Sequence, residues 1–322
     1  MANSGRPVAR VVVVGSVHMD LIAYAARLPL LGESLLGSGF AMFPGGKGGN
    51  QAIAAAQQGA PTAIVARVGD DPFGHDLRES LARKGVDVSF VQTDATAATG
   101  VSPVLMGSGG DYASIIVPGA SQSLTPALLA PGSDALRSCA VLMLQLEIGL
   151  ATSAAAARIA SRSGATVIVN AAPAPNLLES ANWEIWRDVN IVIVNRNEAE
   201  ALSGVSIGDA AGGIEAATVV RARLGVASVV VTLGSAGAAL ADASGDIQLA
   251  AYDAPVVDTI GAGDAFAGAV GAALARGVNL RSAVRLGNVA GALAVGRKGA
   301  YDAPPTLEET EAFAAGDSHG VA

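Results

Sequence analysis

The sequence predicts an α/β fold: a mostly parallel central sheet with helices on both faces, three layers in all, and a small β-sheet appended as a lid. Two observations predict the body. Short β-branched runs recur along the chain, and helix-length stretches rich in alanine separate them, which is the rhythm of right-handed strand–helix–strand crossovers. A third predicts the appendage, because two strand-like segments fall outside that rhythm.

Val11–Val14, closed by Gly15, is a continuous β-branched run, the pattern of a strand buried on both faces. Thr62–Val65, Val141–Leu146, Thr166–Val169, Ile191–Val194 and Ser228–Thr232 repeat it. Helices are expected at Gly49–Gln58, Gly74–Lys84, Thr152–Ser163, Glu198–Leu202, Ile214–Leu224 and Ala265–Ala275. Leu35–Phe43 and Thr99–Val117 read as exposed strands, the second folded about Gly107–Asp111 as a hairpin. With a segment near residues 17–24 they supply the lid; the other reading of the same strands is a structural edge or a dimer surface. Residues 1–322 read as one domain, with the end, Gly316–Ala322, frayed.

Composition narrows the function. A chain of 322 residues, 51 % hydrophobic and 15 % charged, can bury a sizeable core and lacks the signature of disorder. Only 4 % is aromatic, so alanine, valine, leucine and isoleucine must build that core. A net charge of -8 argues against a nucleic-acid or anionic-membrane surface. An acidic chain that handles phosphate must then use helix N-termini, backbone N–H groups or cations. Cys139, the single cysteine, sits in an apolar run as a buried small hydrophobe, and one cysteine allows no intrachain disulfide. His18, His75 and His319 have no metal-ligand spacing. The run at Val11–Val14 is too short to span a membrane and no targeting segment is visible, so a cytosolic location is expected.

The strongest local signal is VDTIGAGDAF at residues 257–266. A turn built on Gly261 and Gly263 leads to Asp264 and an alanine-rich helix. Glycines let the backbone turn sharply and present N–H groups, which with the helix dipole form an anion site. A carboxylate beside that site can take a proton from an attacking hydroxyl, or it can simply cap the helix. On this segment alone both readings stand.

The segment DTIGAGDAF resembles the C-terminal signature of the ribokinase-type (PfkB) sugar kinases, and PGGKGGNQA at 44–52 resembles the family's N-terminal Gly-Gly segment. Lys47 is followed by Gly48, so GGKGGN is not a Walker A loop. Further segments resemble the family in order: GSVHMD at 15–20, MLQLE at 143–147, NRNE at 195–198, TLGSAG at 232–237 and RKGA at 297–300. The resemblance implies an ATP-dependent transfer of a phosphoryl group to the primary hydroxyl of a small sugar. Asp264 would be the base, with Gly261, Ala262 and Gly263 as the anion loop. The sugar would meet His18, Asp20, Gly45, Gly46, Lys47, Asn50 and Glu147, although Lys47 also reads as a structural charge. ATP would meet Asn195, Thr232, Gly234, Ser235, Gly237, Gly263 and Asn288. Mg²⁺ would be organised through water by Glu198. A monovalent cation, K⁺, would sit among Asp258, Ile260, Ala294, Arg297, Gly299 and Ala303. A homodimer through the lid is expected by the same analogy.

Departures from the family's pattern bear on substrate choice more than on chemistry. His18 stands where asparagine is usual, Pro44 stiffens the entry to the glycine pair, Asn288 sits where some members place histidine, and Ala303 replaces a frequent serine. D-ribose is the leading substrate, with deoxyribose, a keto-sugar acid or a nucleoside as alternatives. A non-catalytic sugar or nucleotide sensor is the alternative of another class. Gly15 opens no G-x-G-x-x-G turn, which excludes a dinucleotide-binding dehydrogenase.

Overall fold

The valine and isoleucine runs pair into the centre of one large sheet. The computed structural model describes residues 10–109, 111–173 and 184–316; residues 317–322, within the tail expected to fray, lie outside them. Strands are β1 (Val11–Val14), β2 (His18–Ala25), β3 (Gly39–Gly45), β4 (Thr62–Gly69), β5 (Val86–Asp94), β6 (Gly100–Gly107), β7 (Tyr112–Ser114), β8 (Val141–Gln145), β9 (Thr166–Asn170), β10 (Ile191–Asn195), β11 (Ser228–Thr232), β12 (Ala238–Ala241) and β13 (Ile247–Leu249). The α-helices are α1 (Lys47–Gln57), α2 (Pro72–Arg83), α3 (Ser133–Ser138), α4 (Leu150–Ser161), α5 (Arg196–Ser203), α6 (Ala210–Leu224), α7 (Ala262–Ala275), α8 (Leu280–Ala294) and α9 (Leu307–Gly316).

The main sheet runs β13-β12-β11-β10-β9-β8-β1-β4-β5, parallel except where β12 and β13 join antiparallel at one edge. β1 lies between β4 and β8, with Val11 opposite both Thr62 and Val141. Successive side chains of a strand point to opposite faces, and the two buried clusters follow that alternation. Val12, Val14, Leu142 and Val192 pack with Ala156 of α4 and Val220 of α6, whereas Val11, Val13 and Met143 pack with Ile53 of α1 and Val270 of α7. Three layers result. Cys139 is buried, and burial pushes its thiol up to about 11, which makes it an inert core group.

The order of the strands positions the site. From β1 the chain goes one way to β4 and β5, then returns to β8 and proceeds the other way through β9, β10 and β11. The switch falls between β1 and β8, and an open α/β sheet binds ligands outside the carboxyl ends of its strands at such a point. The second sheet grows from the same place. Its order is β3-β2-β6-β7, and β2 starts at His18, four residues past the end of β1. His18 faces Gly45 on the antiparallel side and Gly100 on the parallel side. The root of β6 is tied to the body by Asp71, which caps α2 through Gly74 N–H (2.9 Å) and accepts Thr99 N–H and Oγ1, each at 2.7 Å.

Two expected segments shift. Leu35–Phe43 becomes β3 at Gly39–Gly45, leaving Leu36 outside the strand and exposed, and Thr99–Val117 divides into β6 and β7. Helices begin two to four residues before their expected starts, as α1 does at Lys47 and α6 at Ala210, where glycine- or alanine-rich first turns blur the onset. No helix of the described residues is long and apolar enough to cross a membrane.

Candidate active site

The carboxyl ends of β1 and β8 meet the start of α1. Glu147, 8 % exposed, accepts the hydroxyl of Ser16 and, at 3.0 Å, the N–H of Lys47, the first residue of α1. A carboxylate at a helix N-terminus satisfies an unpaired donor and opposes the dipole. Gly46 caps α1 with φ of 86°, and a Cβ there would stand 2.7 Å from the N of His18. Only glycine fits this junction of loop, helix and lid strand.

α7 enters from the other side. Gly261 caps it with φ of 79°, and a Cβ there would stand 2.9 Å from the Cα of Ala300. The helix therefore starts at Ala262, three residues earlier than expected, and Asp264 lies inside its first turn rather than at the cap. No side chain caps this helix, so the capping reading of Asp264 falls away. Its carboxylate is 7 % exposed and turns to α1: Oδ2 accepts Asn50 Nδ2 at 2.8 Å and Oδ1 accepts Gln51 Nε2 at 2.9 Å. Desolvation raises its pKa; the charge of Lys47 and the two amide donors oppose the rise, and Glu147 adds to it. The Ala262 N–H is turned to Thr259 O at 3.3 Å. The N–H groups of Gly263 and Asp264 remain in the first turn, where a helix supplies no carbonyl partner. The space a Cβ of Gly263 would enter is open.

On the lid side, Asp20 and His18 are two residues apart on β2 and share a face. A Cβ on Gly45 would overlap the Asp20 carboxylate, so the glycine makes room for the acid. Burial pushes Asp20 up to about 6, against a hydrogen bond from Ser102 and the charge of Lys47. His18 is 0 % exposed, neither ring nitrogen has a protein partner, and burial lowers its pKa against the pull of Glu147. The imidazole is thus neutral near pH 7, with one donor and one acceptor. Tyr301 closes the floor, donating to Gly45 O at 3.2 Å, while burial and the acids Asp20 and Asp264 hold its phenol far above the usual range. If Asp20 must be ionised to accept sugar hydroxyls, kcat/KM for the sugar should fall up to tenfold per pH unit below about pH 6. A rate profile of Asp20→Asn checks this: the variant should lose that dependence and keep only limbs set by other groups.

A third group lies at the ends of β10 and β11. Asn195 caps α5 by accepting Glu198 N–H at 2.9 Å, and Glu198 accepts Asn195 N–H at 2.8 Å, a reciprocal capping box. Glu198 is half-buried, with a pKa raised by desolvation and pulled down by Asn195 and Lys47. Thr232 is half-buried at the end of β11, and Ser235 is exposed in the turn between Gly234 (φ 61°) and Gly237 (φ 85°). Asn288 does not project freely: its Nδ2 holds Leu249 O and Ala250 O at 3.2 and 2.9 Å, fixing the exit of β13. Asp258 accepts Ile260 N–H at 3.0 Å and Gly299 N–H at 3.2 Å, tying the loop before α7 to the loop after α8. Ala294 and Ala303 are buried nearby in one small cluster, while the Arg297 side chain pairs with Glu309 at 2.7 Å. Among the described residues no group of three or more His, Cys, Asp or Glu side chains could hold a metal.

Ser16, Gln51, Gln145, Asn170, Ser102 and Tyr301 belong to this constellation and were not singled out from the sequence. Gln51, Ser16 and Gln145 stood inside segments matched to the family (PGGKGGNQA, GSVHMD and MLQLE), Gln51 readable there as a polar residue at the head of an apolar helix; Asn170, Ser102 and Tyr301 lay outside the quoted segments. Lys47, in contrast, is more than a surface charge, because its field reaches Asp20, Glu198 and Asp264.

A parallel α/β/α body, a four-stranded flap, and a buried acid in the first turn of a glycine-capped helix between them are the parts of a small-molecule kinase. The sequence profile described as pfkB family carbohydrate kinase matches residues 8–307, and the chain belongs to that family. It is 35 % identical over 283 residues to a ribokinase of Mus musculus, covering 86 % of each chain. It is 30 % identical over 301 residues to a ribokinase of Haemophilus influenzae, covering 94 % of this chain and 97 % of that one. A deoxyribokinase of Salmonella typhi is 29 % identical over 299 residues, covering 93 % and 96 %. Among solved structures, Arabidopsis thaliana ribokinase complexed with ribose and ATP superposes with a TM-score of 0.85 at 29 % identity, covering 95 % of this chain and 99 % of that one.

Proposed function

We propose that this chain transfers the γ-phosphoryl group of ATP to the primary hydroxyl of D-ribose, giving ribose 5-phosphate. The observation that carries the reading is Asp264: a buried carboxylate with raised proton affinity, in the first turn of α7, beside open space at Gly263 and next to Asn50. A base of raised pKa is better matched to a neutral hydroxyl than an ordinary carboxylate. Asp264 takes the hydroxyl proton as the oxygen attacks in line. The N–H groups of Gly263 and Asp264 then meet the charge on the transferred group. Asp20, His18, Gly46 and Asn50 orient the sugar, and the lid excludes water that would otherwise hydrolyse ATP. Thr232, Gly234, Ser235 and Gly237 offer the nucleotide an open turn, and Asn288 keeps its neighbouring loop in place.

Glu198, half-buried and with one carboxylate oxygen held by Asn195, fits a residue that holds a magnesium-bound water. When bound, Mg²⁺ supplies neutralisation of phosphate oxygens. K⁺ would take the Asp258 carboxylate and the carbonyls of Ile260, Ala294, Arg297, Gly299 and Ala303, oxygen ligands of the kind a hard cation prefers. Asp258→Ala should lower activity several-fold and abolish stimulation by K⁺; an initial-rate series in K⁺ against Na⁺ reads this, and a wild type indifferent to K⁺ overturns the assignment. The apolar outer face of the lid, with Phe40, Met42 and Leu105 exposed, supports a homodimer through this sheet. A monomeric mass by light scattering overturns that. A cytosolic location is supported by the lone buried thiol.

His18 favours one second reading, deoxyribose. An imidazole with no protein partner can serve a sugar hydroxyl or tolerate its absence better than a short amide locked in place. The test is ADP formation from ATP with ribose, deoxyribose, keto-sugar acids and nucleosides in Mg²⁺, with and without K⁺. Selective turnover of ribose supports the first reading and preference for deoxyribose the second. Silence with every acceptor overturns both.

A further inference from the structure

The hydrogen bonds that reach Asp264 have a fixed direction, and that direction begins at a backbone carbonyl of the central sheet. Ile193 O, in β10, accepts the N–H of Ala171 at 2.9 Å and Nδ2 of Asn170 at 3.1 Å. A carbonyl can only accept, so Asn170 must present its amino group there and leave Oδ1 facing Gln51. Oδ1 of Asn170 accepts Gln51 Nε2 at 3.0 Å. Gln51 therefore points its amino group at both Asn170 and Asp264, the latter at 2.9 Å, and turns Oε1 away to accept Gln145 Nε2 at 2.6 Å. Every step has one permitted polarity. Gln145 itself depends on Gly15, where a Cβ would overlap its Oε1.

Asn50 behaves differently. Its Nδ2 also reaches Asp264, but its Oδ1 is buried without a protein partner, so no neighbour besides Asp264 dictates its orientation. One amide beside the acid is adaptable and the other is locked. We propose that Gln51 and Asn170 are positioning residues for the phosphoryl transfer: the Ile193 carbonyl sets the polarity of an amide chain that aims a permanent donor at Oδ1 of Asp264 and holds the carboxylate as a hydrogen-bond acceptor in one orientation. This rests on the reading of Asp264 as the base. Burial already favours the protonated form of that carboxylate, and a donor aimed at it works against protonation. The other charged or titratable groups facing Asp264 are Lys47 on α1, Glu147 after β8, Asp20 on β2, Glu198 on α5 and Tyr301 near the start of α9. All of them remain in the variants below.

The test compares wild type, Gln51→Leu, Asn170→Leu and Asp264→Asn by single-turnover phosphorylation of D-ribose with ATP across about pH 5–9, and by calorimetric binding of ribose and ATP. Loss of a donor to a buried carboxylate should move the acid limb of Gln51→Leu upward by about one to two pH units. On that limb its rate should fall roughly 10- to 100-fold at a given pH, with affinity for both substrates within about threefold of wild type and the rate recovering at high pH. Asn170→Leu should move the limb the same way by a smaller amount, since Gln51 keeps its amide but loses its guide. Wild-type acid limbs in both variants overturn the proposal. Should Gln51→Leu fail to fold, Asn170→Leu decides by the same limb, its site being only half-buried at the end of β9. An active Asp264→Asn overturns the base reading instead, and an inactive Asp264→Asn with unshifted limbs elsewhere overturns this inference alone.

Discussion

Asp264→Asn is expected to cut turnover by roughly 10²–10⁴ while leaving ribose and ATP binding close to wild type. The amide cannot take a proton, yet it keeps the shape of the side chain. One adjustment follows from the neighbours: both carboxylate oxygens accept amino groups, so the new amide must set its own amino group against one of them. Gln51 is locked by its other bonds, so Asn50, with an unpartnered Oδ1, is the one that turns. Stability should not fall. The folded-state pKa of Asp264 is raised, so its contribution to stability is full below the unfolded pKa and is lost as pH rises through the folded one. Wherever the acid is ionised it costs stability, and a neutral amide relieves that cost. Thermal unfolding beside steady-state kinetics checks both halves: an active variant, or an inactive one that has simply unfolded, contradicts the assignment.

Gly268→Ala is expected to destabilise the protein even though alanine is the better helix former. A Cβ at Gly268 would overlap the Cβ of Ala54 and stand 2.8 Å from Ala55 N and 2.9 Å from Gln51 O. Two of these are backbone atoms of α1 and cannot swing aside. Helix propensity offers a gain of about 0.5–1 kcal/mol, whereas overpacking a fixed contact costs about 1–3 kcal/mol. The cost wins. The displaced helix is the one that carries Asn50 and Gln51 to Asp264, so turnover should fall about tenfold as well. Differential scanning calorimetry and initial rates together read the effect; a higher Tm with unchanged rate would show that α1 and α7 do not pack this closely.

The body of the fold was legible because its strands are buried on both faces. Val11–Val14, Thr166–Val169 and Ile191–Val194 announce themselves as unbroken apolar runs. β5 is an edge strand carrying Asp87, Ser89, Gln92 and Thr93, so its signal is diluted, and Ala238–Ala241 is strand only because β11 offers its edge. Of the site, the glycine-rich turns and Asp264 are local and were readable, although α7 starts at Ala262 and takes Asp264 into its first turn. Distances were not. Asn50 and Asp264 are 214 residues apart, and Gln145 and Asn170 look like ordinary strand ends until the sheet sets them side by side. The amide chain behind Asp264 is a product of register, which a single sequence does not display.

The proposed reaction has a sugar's primary hydroxyl meet Asp264 while the γ-phosphate meets the first turn of α7. A crystal structure with ribose and a non-hydrolysable ATP analogue tests it most directly. The hydroxyl should lie within about 2.6–3.2 Å of the Asp264 carboxylate, with γ-phosphate oxygens on the N–H groups of Gly263 and Asp264. A sugar whose primary hydroxyl points away from Asp264, or a γ-phosphate held elsewhere, would contradict it.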